Sequence, residues 1–243
     1  VDAHVDGRQC STTATVYARV WLGLFVVVTG IWDLALTRAT LGTLTVWTVN
    51  LCISTPIVQN ITTVATSVQL NGLAPVPGSD KLILAADADV GAVYRINIAT
   101  GAYSIAFSDP VFEPVNRTIP GQHLGINGIR TKGSYLYFVS SAKQHFGRVK
   151  INSLGQKAGP VQIISNNTIV GGAFGSQYDD FDLDAGNNAW IATHPNHVVK
   201  VTPGGVQTVI EDTGRLCCFS ALAEQSALGV SENAKRAIKR VAR

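Results

Sequence analysis

The chain has 243 residues and a mass of 25.7 kDa, which suits one sizeable domain or two small ones. Hydrophobic residues make up 46% and charged residues only 14%, so a packed core is expected and global disorder is excluded. The net charge is +3, but Ser231 to Arg243 sets five basic residues against Glu232; the remaining body is close to neutral and has no basic stripe, which excludes nucleic-acid binding. Met is absent, and Val1 stands first. This composition is expected for a processed chain or for a piece of a longer reading frame.

In chain order, residues 1–55 differ in character from the rest of the chain. Val20 to Trp32 is an apolar run of 13 residues, too short for a membrane-spanning helix, which needs about 20. It has the length of a signal-peptide core, but 19 residues precede it and they include Asp2 and Asp6. A buried strand pair is the other reading of this run. Residues 39–53 are rich in Thr, Val and Leu and are predicted to be strand. Cys10, Cys52, Cys217 and Cys218 show no Cys-x-x-Cys spacing, so neither a zinc site nor a disulfide framework is expected. Sequons at Asn60, Asn116 and Asn166, together with the apolar run, are compatible with a secretory route.

Residues 56–212 carry a repeat. Leu70-Asn71-Gly72-Leu73, Ile126-Asn127-Gly128-Ile129 and Tyr178-Asp179-Asp180-Phe181 each open a unit. A strongly apolar strand comes after each opening, at Lys81 to Ala85, Tyr135 to Val139 and Asn188 to Ala192. Third strands are predicted at Tyr94 to Ile98, Arg148 to Ile151 and Val198 to Val201, ending in turns at Gly101, Gly155 and Gly204. Fourth strands are predicted at Tyr103 to Phe107, Val161 to Ile164 and Val206 to Ile210. Four short antiparallel strands per unit of about 50 residues are the signature of a β-propeller blade. Residues 57–69 read as the last strand of a preceding blade. The expected fold is therefore an all-β propeller with three full blades and the edge of a fourth. Residues 213–243 read as a basic, helical tail.

In a propeller, strand one lines the channel, and the loops leading into it open on the same face as the loops between strands two and three. Asn71, Asn127 and Asp179 are thus expected to ring the channel mouth. Around them are expected Asp87, Asp89, Lys143, Gln144, His145 and His194 from the strand-two-to-three loops. Glu113, His123, Gln177 and Tyr178 come from the loops leading into strand one. Amide and carboxylate oxygens in a ring are calcium-type chemistry; His123, His145 and His194 titrate near working pH and are candidate acids or bases. Trp190 and Phe138 are predicted to be core. Serine-hydrolase, phosphate-loop and dinucleotide motifs are missing from the sequence.

The three blade starts resemble those of the six-bladed senescence-marker-protein/gluconolactonase/luciferin-regenerating-enzyme family. The wording of Tyr135 to Phe138, Phe146 to Arg148, and Asp179 to Asp184 running on to Asn188 to His194 is most similar to its fungal branch, which includes hetero-Diels-Alderases. The resemblance spans residues 56–212. It implies a small-molecule substrate and, where a divalent metal such as calcium is used, Asn71, Asn127 and Asp179 as ligands. Asp180 stands where the family usually has Gly, so either Asp179 or Asp180 is expected to point inward. The family's acidic first-blade ligand has no counterpart in residues 1–55, and 31 residues after 212 are too few for two more blades, so an incomplete propeller is expected. The leading functional expectation is a metal-independent cyclase of hetero-Diels–Alder type in fungal secondary metabolism, acting on a reactive polycyclic or terpenoid intermediate. In that reading Asn71, Asn127, Asp179 and His194 are catalytic, and Asp87, His123, His145, Tyr178 and Asp180 contact substrate. The alternatives are a calcium-dependent lactone or ester hydrolase and an inactive propeller remnant.

Overall fold

The computed structural model describes residues 12–21, 23–33, 38–52, 55–119, 122–168, 177–194 and 197–212, with backbone alone for 12–21 and 211–212. The predicted tail, Cys10, Cys217 and Cys218 lie outside these residues.

Four antiparallel sheets succeed one another along the chain. The first takes β1 (Thr12–Trp21), β2 (Leu24–Asp33), β4 (Thr45–Asn50) and β5 (Ile57–Thr63), with the short β3 (Arg38–Ala39) on the end of β2. The second is β6 (Leu70–Pro75), β7 (Leu82–Asp87), β8 (Ala92–Asn97) and β9 (Tyr103–Ser108). A 3-10 turn, Pro110–Phe112, capped by Asp109, leads toward the third. That sheet is β10 (Ile126–Lys132), β11 (Tyr135–Ser140), β12 (His145–Ile151) and β13 (Lys157–Asn166). The last is β14 (Gln177–Leu183), β15 (Ala189–His194), β16 (His197–Val201) and β17 (Gln207–Asp212).

The described residues thus form four blades of an all-β propeller, and they complete the first blade, of which the repeat predicts only the edge. Residues 12–50, which carry no recognisable anchor, supply the missing strands: the apolar run becomes β2, and 39–53 contains β4. The strand at residues 57–69 does close the preceding blade, as β5. Among the described residues no helix is long and apolar enough to cross a membrane.

Alternation along the strands sends side chains to both sheet faces, and the faces that meet between neighbouring blades are buried. Val26, Val28 and Val46 of the first blade meet Leu70, Leu73, Ile83 and Ile96 of the second. Leu84, Ala86 and Val93 meet Ile129, Leu136, Phe138 and Val149 across the next interface. Tyr137, Val139 and Phe146 meet Tyr178, Phe181, Ile191 and Val199 across the last. Phe138 is fully buried, as expected, and takes the Phe112 ring edge-on at 4.9 Å between centroids. Trp190 is not core: it points to the other face of its blade, is 36% exposed, donates Nε1–H to Asp184 and carries the Lys200 ammonium over its ring.

The anchors share one local irregularity. Leu70 pairs with Asp87 but Leu73 with Ala85, so Asn71-Gly72 stands opposite Ala86 alone. The same extra residue occurs at Asn127-Gly128 (Ile126 with Ser140, Ile129 with Phe138) and at Asp179-Asp180 (Tyr178 with Thr193, Phe181 with Ile191). Each strand one therefore carries a β-bulge at its anchor, which bends the strand and re-aims the side chain there.

The glycine of the anchor lets the inner strands touch. A Cβ on Gly72 would lie 2.4 Å from the Asn127 carbonyl oxygen, and one on Gly128 would lie 2.3 Å from Asp180 Oδ1. The turns between strands three and four make the other inter-blade contacts: Gly101 against Ile61, Gly155 against Leu84 and Val76, and Gly205 against Ile164. The third of these turns uses Gly205 (φ 84°) for its left-handed residue, not Gly204 as expected from the sequence.

Gly72→Ala is expected to cost about 1–3 kcal/mol, because the obstacle is backbone that cannot swing aside. Gly204→Ala, whose Cβ has nothing nearer than 3.9 Å, is expected to stay within about 0.5 kcal/mol. Urea unfolding of the two variants checks the difference.

Candidate functional site

In blades two to four the bulge places one polar side chain next to the residue that follows the strand-two partner of the residue before the anchor. The residues in that place are Ala88, Ser141 and His194 in blades two, three and four. Asn127 Nδ2 donates to Ser141 Oγ at 2.9 Å and to Asp179 Oδ1 at 2.9 Å. Ser141 Oγ donates in turn to the Tyr178 carbonyl at 2.7 Å. His194 Nε2 lies 3.2 Å from Asp179 Oδ2. A hydrogen-bonded string thus runs Ser141–Asn127–Asp179–His194 across two blades. Asn71 has only Ala88 beside it and makes no side-chain hydrogen bond among the described residues.

The string has a buried end and an open end. Asn127 is 1% exposed and Ser141 is 1% exposed. The Asp179 side chain is 22% exposed and that of His194 is 60% exposed. Only an NH2 group can face the Asp179 carboxylate, which fixes the amide of Asn127 and leaves its Oδ1 buried without a partner. The hydrogen bond to Asp179 raises the His194 pKa above its ordinary value, outweighing burial, which lowers it. His194 is therefore a surface imidazole held by a carboxylate that favours its protonated form, and a buried amide orients that carboxylate.

Asp179, not Asp180, joins the string. Asp180 turns back across Gly128 and pairs with Arg130 at 3.0 Å, so it acts as an inter-blade clamp. Two other expectations are corrected by burial. Tyr178 is fully buried in the core between the last two blades, with its hydroxyl donating to Gln207 Oε1 at 3.2 Å and its pKa pushed up to about 12 by burial. It cannot touch a substrate. Asp87 is likewise inaccessible: it ends β7, and its Oδ1 accepts from the amides of Asp89 (3.0 Å) and Val90 (2.9 Å), closing the turn. Its Oδ2 is buried without a partner, and burial raises its pKa against the pull of Ser67 and the two amides. His145 stands across from Ser140 in β12, half-buried with Nδ1 unpartnered; burial lowers its pKa. His123 is half-buried in the segment before β10. Neither histidine is joined to the string.

Ser141 and Arg130 are site residues that sequence reasoning missed. Ser141 had a usable signal, because it occupies the repeat position of His194. Arg130 had none, because its partner is set by blade packing.

No family model matches the chain, and no curated protein matches it. Solved structures do. The chain is similar to an auxiliary nutrient binding protein from Bacteroides thetaiotaomicron (12% identity, 77% of this chain and 44% of that one, TM-score 0.50). It is also similar to a gluconolactonase from Xanthomonas campestris (15% identity, 80% and 58%, TM-score 0.49) and to a luciferin-regenerating enzyme (12% identity, 81% and 71%, TM-score 0.48). It spans 60% of the matched chain from a nidogen–laminin complex and 45% of a sugar dehydrogenase from Streptomyces coelicolor. At these identities the likeness extends to the propeller fold and no further.

Two titrations test the electrostatics. The raised His194 pKa means that its pairing stabilises the fold below the ordinary imidazole range and fades as pH rises through the folded value. An NMR titration of His194 should midpoint above the ordinary value in the native chain and fall back in Asp179→Asn. For Asp87 the raised pKa has the opposite charge consequence: ionising it costs stability as pH rises above the ordinary carboxylate range. Asp87→Asn, which keeps the turn acceptor, should unfold at higher urea than the native chain at pH 8, with the gain shrinking toward pH 4.

Proposed function

We propose that this chain belongs to a propeller enzyme that activates the carbonyl group of a small molecule with His194 at the channel mouth. The observation that carries the proposal is the Ser141–Asn127–Asp179–His194 string. When the ring is protonated, the form that the Asp179 carboxylate favours, the string presents an N–H donor to solvent-accessible space. With Nε2 engaged by Asp179, Nδ1–H is the donor left for a ligand. Hydrogen bonding to an enone or quinone-methide oxygen withdraws electron density from the conjugated system. It lowers the barrier to addition of an alkene without a nucleophile or a covalent intermediate. Cyclisation of hetero-Diels–Alder type, the reaction suggested by the blade wording, is the reaction that this arrangement suits.

The second reading, metal-dependent lactone or ester hydrolysis, rests on the buried, unpartnered Oδ1 of Asn127 beside Asp179. The donor set fits a divalent cation poorly. The Asn127 nitrogen faces Asp179, both Asp179 oxygens are engaged, and among the described residues no group of three or more His, Cys, Asp or Glu is placed to hold a metal. No step is therefore derived through a metal.

The probe is an ortho-quinone methide released in situ in the presence of an electron-rich alkene. The native chain is expected to give an enantiomerically enriched cycloadduct, and the rate should be unaffected by a chelator. His194→Ala should lose about a hundredfold in rate, with Asp179→Asn intermediate. Racemic product at the uncatalysed rate overturns the proposal. Lactone hydrolysis abolished by chelation and restored by calcium replaces it with the second reading.

A further inference from the structure

A second concave site lies at the other end of β7. The channel-mouth string lies toward the Asp87 end, whereas this groove opens at the Leu82 end, and β7 itself spans about 17 Å at the usual strand rise. Its volume is about 550 Å³, within the range of small-ligand sites. Blade two supplies most of the wall through Ser79, Lys81, Arg95, Asn97 and Ser104, and Leu154 of blade three closes one side. Arg95 and Ser104 are cross-strand partners, so their side chains lie on the same face of the sheet.

The hydrogen-bonding capacity left in this groove is one-sided. Asn97 Oδ1 is consumed by the amides of Ala99 (2.9 Å) and Thr100 (3.2 Å), which leaves its NH2 to donate. Ser79 Oγ accepts from the amides of Lys81 (3.2 Å) and Leu82 (3.1 Å), which leaves its O–H to donate. Arg95 spends Nη1 on the Leu154 carbonyl at 3.2 Å, which fixes the guanidinium and leaves its remaining N–H groups unengaged among the described residues. Lys81 Nζ has no partner among the described residues, and no carboxylate lines the groove. The turns have taken the side-chain oxygens of Asn97 and Ser79, and two cations stand beside the donors that remain. A multidentate oxyanion satisfies such a set, and a neutral or cationic ligand does not.

We propose that the groove between β8 and the β12–β13 turn binds a small oxyanion-bearing ligand, phosphorylated or polycarboxylated, through Lys81 and Arg95. The site is independent of the channel mouth and does not rest on the reaction proposed there.

Calorimetric titration of the full chain with inorganic phosphate and, separately, with citrate tests it. At least one anion should bind saturably with a millimolar or lower Kd, weakening as sodium chloride is raised. Glucose serves as the neutral control and should not bind. Lys81→Gln, an exposed substitution, and Arg95→Gln should each weaken binding about tenfold, and Lys81→Arg should retain it. His194→Ala should bind as the native chain does, which separates this site from the channel mouth. Phosphate tighter than citrate assigns a phosphorylated ligand, and the reverse assigns a carboxylated one. No saturable binding of either anion, or an unchanged Kd in Lys81→Gln with a native unfolding midpoint, overturns the proposal.

Discussion

The inner strands of successive blades approach until backbone meets backbone, and only glycine fits at the contact. Gly72 lies against the Asn127 carbonyl, and Gly128 lies against Asp180. At the same point each strand carries an extra residue, so the ladder hydrogen bonds give way and the neighbouring side chain turns toward the centre. Close approach and bulge work together. The first brings Asn127 within hydrogen-bonding distance of Asp179, and the second aims both out of the sheet plane. A longer inter-strand distance would leave Asn127 and Asp179 as separate surface residues with no shared chemistry.

The polar string inherits its rigidity from that contact. Asn127 is buried, its amide is fixed by Ser141 on one side and Asp179 on the other, and Asp179 is thereby set to receive His194. Burial thus decreases along the string from Ser141 and Asn127 to His194. Blade two lacks the corresponding partner, since Ala88 stands where Ser141 and His194 stand in the other blades, and Asn71 is left outside the network. The ring expected from three equivalent anchors is therefore a two-blade pair with an unlinked third member. The far end of the same sheets has opposite electrostatics: turn residues absorb the acceptors, and Lys81 and Arg95 remain.

Much of the fold was legible because blade repeats leave periodic marks. Strand alternation, anchor spacing and turn glycines located every strand of the three later blades, with bounds off by up to four residues, as at β13. Of the first blade only the closing strand was assigned, because its other strands lack the Asn-Gly anchor and an apolar run such as Val20 to Trp32 reads as a leader segment or as buried strand. Trp190 was misplaced for a related reason. An apolar strand in a propeller buries both faces only where a blade stands on each side, and Trp190 points away from its one described neighbour.

The sequence alone determined the all-β blade architecture, the anchor positions and the histidine candidates, since those depend on local period and turn chemistry. Tertiary structure alone decided which candidates meet. It sent Asp179 to His194 and Asp180 to Arg130, although the two carboxylates are adjacent in sequence and chemically equal. It also withdrew Tyr178 and Asp87 from solvent. The physical reason is that neighbouring residues on a bulged strand leave it in different directions, and the direction has meaning only once the next blade is in place.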